Sequence, residues 1–146
     1  MTLIDSTVTL EKVIGTNDQI RALYEMLIKR DYNISNRISP SIKEHIKFVQ
    51  NHPYRIWYLV KANSAYIGSA YLMENNCVGI NLIMNFDWFQ NIVKMILRKH
   101  KPLKEIKSVR PPYFYINIAP DNEEIKAQLI KIHAQQIQST FILASA

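Results

Sequence analysis

Three strand-like runs follow one another closely in the middle of the chain, and they constrain the fold more than any other stretch. They span residues 55–61, 65–73 and 77–84, and the turns between them are Asn63-Ser64 and Asn75-Asn76. Short asparagine-rich turns between apolar runs are typical of β-hairpins. The pattern predicts an antiparallel meander and argues against a purely parallel, doubly wound sheet.

Four amphipathic helices are predicted around this meander, because apolar residues recur there at helical spacing. In the second helix, Ser41 and Glu44 have the spacing of a capping box. The predicted apolar stripes include Ile28 in the first helix and Leu97 in the third. The helices are predicted to start, in order, at Asn17-Asp18, Ser39-Pro40, Asn85 or Asp87, and Pro120-Asp121-Asn122.

Further strand-like runs lie at residues 8–13, 113–119 and 136–143. Together with the meander and the helices they give the order β-α-α-β-β-β-α-β-α-β. The later part of this order favours parallel pairing with right-handed crossovers. We therefore expect a single domain over residues 1–146 with an α+β fold in three αβα layers. Its mixed sheet would be an antiparallel meander followed by β-α-β-α-β.

Cysteine and histidine usage limits the chemistry that the chain can carry out. Cys77 is the single cysteine among the 146 residues, which excludes an intrachain disulfide and a zinc site built on cysteine pairs. The 4 histidines lack metal-site spacing, and we expect no metal. The sequence starts without a signal-peptide pattern, and no uncharged apolar stretch reaches the ~20 residues of a membrane helix. We expect a cytoplasmic protein with no membrane partner.

The formal net charge of +6 favours an anionic partner, such as a phosphate-bearing cofactor or nucleic acid. Basic residues are concentrated between Arg98 and Arg110, and the aromatic run Tyr113-Phe114-Tyr115 follows them. Basic residues beside aromatic rings can bind single-stranded nucleic acid. The simpler interpretation is a solvated helix end and loop, which could also attract a phosphate-bearing ligand, and we favour it over a nucleic-acid interface.

Five short motifs stand in order along the chain. The first is His52-Pro53-Tyr54-Arg55-Ile56-Trp57-Tyr58, where a predicted helix gives way to a strand. Tyr66-Ile67-Gly68-Ser69-Ala70-Tyr71-Leu72 and Val78-Gly79-Ile80 lie in the next two strands. The last two are Asn117-Ile118-Ala119-Pro120-Asp121-Asn122 and Ile137-Gln138-Ser139-Thr140-Phe141. In their order and spacing, from roughly Leu10 to the C-terminus, these motifs resemble the GNAT acetyltransferases.

The resemblance implies use of acetyl-CoA or another acyl-CoA at a gap between the fourth and fifth strands. Pantetheine pairs with the fourth strand in that family, which here implies Ile80, Asn81, Leu82 and Ile83. The pyrophosphate binds at the turn into the following helix. In this chain the resemblance implies Asp87, Trp88, Phe89, Gln90, Asn91 and Ile92 as the residues of this turn. Asn117 and Asn122 match the outer asparagines of a family motif and complete the implied cofactor-binding set.

The sequence departs from the family pattern at the pyrophosphate turn and at the usual catalytic acid. Residues 86–92 contain no glycine, although glycines let backbone amides approach a phosphate closely. Asp87 places a negative charge where a phosphate would lie. The family's tyrosine on the fourth helix falls at Gln128 or Leu129 in this chain.

Other residues are therefore the candidates for proton transfer. Tyr115, or its neighbour Tyr113, would protonate the departing thiolate, and Glu74 would be the general base. The predicted function is N-acetyl transfer from acyl-CoA to an unidentified small-molecule amine. The first alternative is a catalytically inactive GNAT-like domain that binds a ligand or a protein, and the second is a nucleic-acid binder. A homodimer through Trp57, Trp88 or the edge strands is left open.

Overall fold

The predicted meander forms the centre of the sheet. In a computed structural model that describes residues 8–29, 40–83 and 86–144, the strands lie in the order β1-β2-β3-β4-β5. The first four pair antiparallel with their neighbours, and β5 pairs parallel with β4. The strands are β1 (Val8–Lys12), β2 (Ile56–Ala62), β3 (Ala65–Leu72), β4 (Cys77–Leu82) and β5 (Tyr115–Ile116).

Four α-helices accompany this sheet, as the periodicity predicts. They are α1 (Asn17–Lys29), α2 (Ile42–Gln50), α3 (Phe89–Lys99) and α4 (Glu123–Lys131), and a 3-10 turn (Phe86–Trp88) leads into α3. The capping box at the start of α2 is confirmed, because Ser41 and Glu44 each bond the other's backbone amide. Asn85, one of the two predicted caps of the third helix, lies outside the described residues.

Helices cover both faces of the sheet, which confirms the α+β arrangement in three layers. Side chains of β2 alternate between the faces. Leu59 packs with α1 and α2 through Leu23 and Val49. Val60 points to the opposite face and joins the cluster that contains Ile92 of α3. Both faces of β2 are therefore buried, which explains its nearly continuous apolar sequence.

The buried face of α1 differs from the predicted stripe. Ile20, Leu23 and Met26 are buried, whereas Ile28 is exposed. Ile28 follows Leu23 by five residues, which places it about 140° around the helix from the buried face. Leu97 of α3 is likewise exposed, next to the buried Ile96. Periodicity located both helices, but the packing against the sheet selected a narrower face than the sequence predicts.

The prediction of a final strand over residues 136–143 is wrong for this chain. That segment is irregular and exposed, so the described sheet ends at β5. The strand predicted over residues 113–119 is also shorter, since only Tyr115–Ile116 pairs with β4. A strand-like pattern forms a strand only where a neighbouring backbone accepts its hydrogen bonds. The described chain places no such backbone beside residues 136–143.

Asn76 holds the connection between α3 and β5 against the turn between β3 and β4. Its side chain is fully buried, with an exposed fraction of 0%. Its Oδ1 accepts from the Leu103 amide at 2.8 Å, and its Nδ2 donates to the carbonyls of Leu103 at 2.9 Å and Pro111 at 2.8 Å. The carbonyl of Asn76 also accepts from the amide of Tyr115 at 3.2 Å. One residue therefore fixes the start of β5.

We expect Asn76→Gly to lower the free energy of unfolding by roughly 3 kcal/mol, because three backbone groups lose their buried partner. Glycine retains the left-handed backbone conformation of this position, where φ is 73°. Asn76→Ala adds the cost of that conformation, about 1–2 kcal/mol more. Urea denaturation measures both effects.

Asn63→Gly is the matched control for this prediction. Asn63 also has a positive φ, 51°, in a hairpin turn, but its side chain is exposed. Its removal should change stability by less than about 0.5 kcal/mol. Wild-type stability in Asn76→Gly would show that these hydrogen bonds do not hold the connection.

Candidate functional site

The fourth and fifth strands are joined only at their beginnings. β5 pairs with β4 at two positions, Cys77 with Tyr115 and Val78 with Ile116. β4 continues to Leu82, and along this stretch β3 remains paired on its other side. Among the residues that the structure describes, no strand pairs with the outer side of β4 beyond Val78. The sheet therefore has an open edge over residues 79–82.

The backbone groups on that open edge follow from the pairing with β3. The carbonyl of Cys77 accepts from the amide of Met73, and the amide of Ile83 donates to the carbonyl of Ile67 at 3.0 Å. Bonds to one neighbour alternate along an antiparallel strand, so the amides and carbonyls of Ile80 and Leu82 point away from β3. An extended ligand can pair with such an edge as an added strand would. Of the four candidate pantetheine-binding residues, Ile80 and Leu82 present backbone groups at the open edge, whereas the amide of Ile83 is bonded to β3.

Two glycines allow close packing along this part of the sheet. A Cβ at Gly68 would lie 2.3 Å from the carbonyl oxygen of Asn81, a backbone atom that cannot move aside cheaply. A Cβ at Gly79 would lie 2.0 Å from the ring of Tyr71, which itself stacks on Tyr54 at 4.2 Å. The glycines of the two strand motifs therefore shape β3 and β4, and contact with a ligand is not needed to explain them.

Helix α3 begins at Phe89, with residues 83–88 between it and the open edge. Its N-cap is Trp88, which offers no side-chain hydrogen bond to the first turn. The prediction that Asp87 caps this helix is wrong, because Asp87 lies within the preceding 3-10 turn and is exposed. The start of a helix carries partial positive charge on its amides. The side chain of the N-cap residue, Trp88, therefore accepts no hydrogen bond from the amides of this first turn.

Side chains of the predicted pyrophosphate turn serve mainly to pack the core. Phe89 and Ile92 are completely buried, and Trp88 packs against the same cluster as Ile92. Gln90 donates from Nε2 to Oε1 of Gln128 at 2.7 Å and so ties α3 to α4. Asn91 is half-buried in the same first turn. Backbone amides are thus the groups through which this turn can bind an anion.

Cys77, Tyr115 and Asn117 meet at the closed end of the gap. Burial raises the pKa of the Cys77 thiol, and the Asn117 amide opposes this shift with its Nδ2 at 3.6 Å from Sγ. Burial also raises the pKa of Tyr115, with a smaller contribution from neighbouring Cys77. Both groups therefore carry their proton at neutral pH. The sequence singled out Tyr115 and Asn117, but it gave no sign that they would meet Cys77.

Glu74 lies near this closed end, whereas Asn122 has a structural role. Glu74 is exposed in the turn between β3 and β4, two positions before Asn76, whose carbonyl accepts from the amide of Tyr115. The carbonyl of Glu74 accepts from Arg110 at 3.0 Å. Asn122 caps α4, because its Oδ1 accepts from the Ile125 amide at 3.3 Å.

Arg110 also donates to the carbonyl of Lys104 at 2.7 Å, so part of the basic segment stabilises its own loop.

The described residues contain no group of three or more metal-ligating side chains placed so that they could hold a metal ion together. None of their helices is both long enough and apolar enough to cross a membrane.

We expect the native thiol of Cys77 to resist Ellman's reagent at pH 8, because burial leaves it protonated and covered. Addition of urea should release its full reactivity. Asn117→Ala should leave the thiol slow to react, since burial is the dominant cause of the raised pKa. Rapid stoichiometric labelling of the folded protein would contradict this description.

Three solved acetyltransferase structures share this fold. An acetyltransferase from Thermus thermophilus is 12% identical, with a TM-score of 0.59 over 86% of this chain and 85% of that chain. A possible acetyltransferase from Clostridium difficile is 9% identical, with a TM-score of 0.56 over 96% and 98%. An aminoglycoside acetyltransferase from an uncultured soil metagenomic sample, solved with sisomicin, is 12% identical, with a TM-score of 0.50 over 97% and 99%.

No protein-family model matches the chain, and no curated protein matches it. At identities this low, the likeness concerns the arrangement of the backbone alone. The chain therefore has the GNAT-like fold of these acetyltransferases.

Proposed function

We propose that the chain is an N-acyltransferase that takes its acyl group from acyl-CoA and transfers it to a small-molecule amine. The observation that carries this proposal is the open edge of β4, together with the start of α3 at Phe89, the next helix along the chain. An extended pantetheine arm needs unpaired backbone groups, and a pyrophosphate needs amides with partial positive charge. This chain offers both between residues 80 and 92.

The residues of the gap fit this ligand through their backbones. Ile80 and Leu82 would pair with the amide groups of the pantetheine arm, and the first turn of α3 would hold the pyrophosphate. The basic residues between Arg98 and Arg110 add long-range attraction for an anion. Asp87 opposes this attraction, because its exposed carboxylate precedes the same turn. We therefore expect binding that is weaker than a glycine-rich turn would give.

Acyl-CoA supplies a thioester whose carbonyl carbon accepts the amine nitrogen as the carbon–sulfur bond breaks. The chain must then provide one proton for the departing sulfur and accept one from the attacking amine. Tyr115 lies at the closed end of the gap and carries a proton on its hydroxyl, so it is our candidate for the first task. Glu74 is our candidate for the second, since its exposed carboxylate belongs to the turn beside Tyr115.

The proposed acceptor is a small amine, and the proposed compartment is the cytoplasm. One solved structure of the same fold is an aminoglycoside acetyltransferase, and its sisomicin ligand supports an amine acceptor in general. Cys77 is the single cysteine, so the fold needs no disulfide, which suits a reducing compartment.

A catalytically inactive domain that binds a ligand is the second candidate. The observation in its favour is the role of Gln128, which stands at one of the positions that match the family tyrosine and bonds Gln90 instead. The lack of glycine in residues 86–92 favours it as well. Binding of acyl-CoA without turnover on any amine would support this candidate over the enzyme.

We expect acetyl-CoA and free coenzyme A to bind with micromolar dissociation constants in a calorimetric titration. Asp87→Asn should tighten binding by roughly 3- to 10-fold, because it removes a charge that repels the pyrophosphate. Asp18→Asn, an exposed carboxylate in α1, is the matched control and should have no effect. Absence of binding at millimolar ligand would refute the proposed function.

If an amine substrate is found in a thiol-release assay, Tyr115→Phe should lower kcat about 10²-fold and leave KM nearly unchanged. The substitution removes the proton-bearing hydroxyl and keeps the ring. Tyr113→Phe tests the other candidate donor and should have little effect, since Tyr113 precedes the β4–β5 pairing and is exposed. Wild-type kcat in both variants would assign the proton transfer to another group.

A further inference from the structure

The C-terminal segment exposes more apolar surface than any other part of the described chain. Ile137 is 56% exposed, Phe141 75%, Ile142 85% and Leu143 90%. Residues 136–143 contain no Asp, Glu, Lys or Arg to keep such a segment solvated. Soluble proteins rarely leave a contiguous run of this kind uncovered, because it invites association.

The segment has the alternation of an edge strand with one covered face. In an extended conformation Ile137, Phe141 and Leu143 share one side, whereas the polar Gln136, Gln138 and Thr140 share the other with Ile142. Such a pattern is stable only when the backbone pairs with a sheet and the apolar side is covered. We call residues 136–143 the terminal segment.

A hydrogen-bonded helix end sets the direction in which the terminal segment leaves α4. His133 adopts a left-handed conformation with φ of 62°. Its amide donates to the carbonyl of Ile130, and the amide of Ala134 donates to the carbonyl of Leu129, both at 3.0 Å. These two bonds form a Schellman motif. The exit is thus a defined turn, and the terminal segment that follows it pairs with no described strand of its own chain.

The sheet of the same chain ends on a strand that lacks an outer neighbour. β5 is the last strand in the sheet order, and it pairs only with β4 among the described residues. Ile130 of α4 is 67% exposed and adds apolar surface next to the exit of the terminal segment. The chain therefore has a strand-like segment without a sheet and, in the part that the structure describes, a sheet edge without a strand.

We propose that the terminal segment pairs with the outer edge of β5 in a second copy of this chain, and that the two copies exchange these segments reciprocally. Each molecule contributes one segment and one edge, so a two-fold dimer uses both and leaves neither exposed. This self-complementarity favours a second copy over an unrelated protein. The exchange gives each sheet a sixth strand and covers Ile137, Phe141 and Leu143.

The test is the mass of the full chain in solution, measured by light scattering after size exclusion from micromolar to high micromolar concentration. We expect a dimer for the wild type. Ser139→Pro and Thr140→Pro each remove one amide, and successive amides point to opposite sides of a strand. One of the two variants therefore loses a pairing bond in each of the two exchanged segments. We expect its dissociation constant to rise at least about tenfold, since even one lost hydrogen bond is equivalent to that change.

Gln135→Pro is the matched control, because it lies just outside the terminal segment and should remain dimeric. Hydrogen exchange gives the second measurement: the amides of residues 136–143 should be protected in the dimer and lose protection on dilution. Circular dichroism should show an unchanged fold in every variant, because the exposed terminal segment supports no other described element of its own chain.

Three results would overturn the proposal. The first is a monomer whose terminal segment exchanges freely. The second is a monomer whose terminal segment is protected, which would mean that it pairs within its own chain. The third is a dimer that neither proline weakens, which would place the interface elsewhere. None of these measurements involves acyl-CoA, so their outcome is independent of the proposed enzymatic function.

Discussion

The position of β5 depends on the hydrogen bonds of one buried asparagine. The side chain of Asn76 binds the backbone at Leu103 and Pro111, and its carbonyl binds the amide of Tyr115. Water cannot compete for these groups, because Asn76 is fully buried. The long connection after α3 is therefore held against the β3–β4 turn, and β5 begins beside Cys77.

The gap in the sheet follows from this arrangement. β5 is fixed to β4 at its first two residues, and beyond Ile116 no further pairing joins the two described strands. β4 keeps its pairing with β3, so one side of it supports the sheet while the other is open. The same constraint brings Tyr115 and Asn117 to Cys77. The hydrogen bonds of Asn76 therefore fix both the start of β5 and the position of the candidate catalytic residue Tyr115.

Much of this arrangement is local and could be predicted from the order of residues. The turns at Asn63-Ser64 and Asn75-Asn76, the positions of the helices and the capping box at Ser41 all depend on neighbours within a few positions, and all were confirmed. Residues 80–82 lie on a strand, as the sequence predicts. Asp87 was misjudged as a cap because helix entry is set by the 3-10 turn and by the burial of Phe89.

The sequence alone determined the meander, the four helices and their order, because hydrogen-bond partners within hairpins and helices are close in the chain. Tertiary structure decided the length of β5, the meeting of Cys77 with Asn117, and the bond between Gln90 and Gln128. It also decided that residues 136–143 form no strand within this chain. These outcomes depend on contacts between distant residues, and a strand pattern records only that a partner is needed, not where that partner lies.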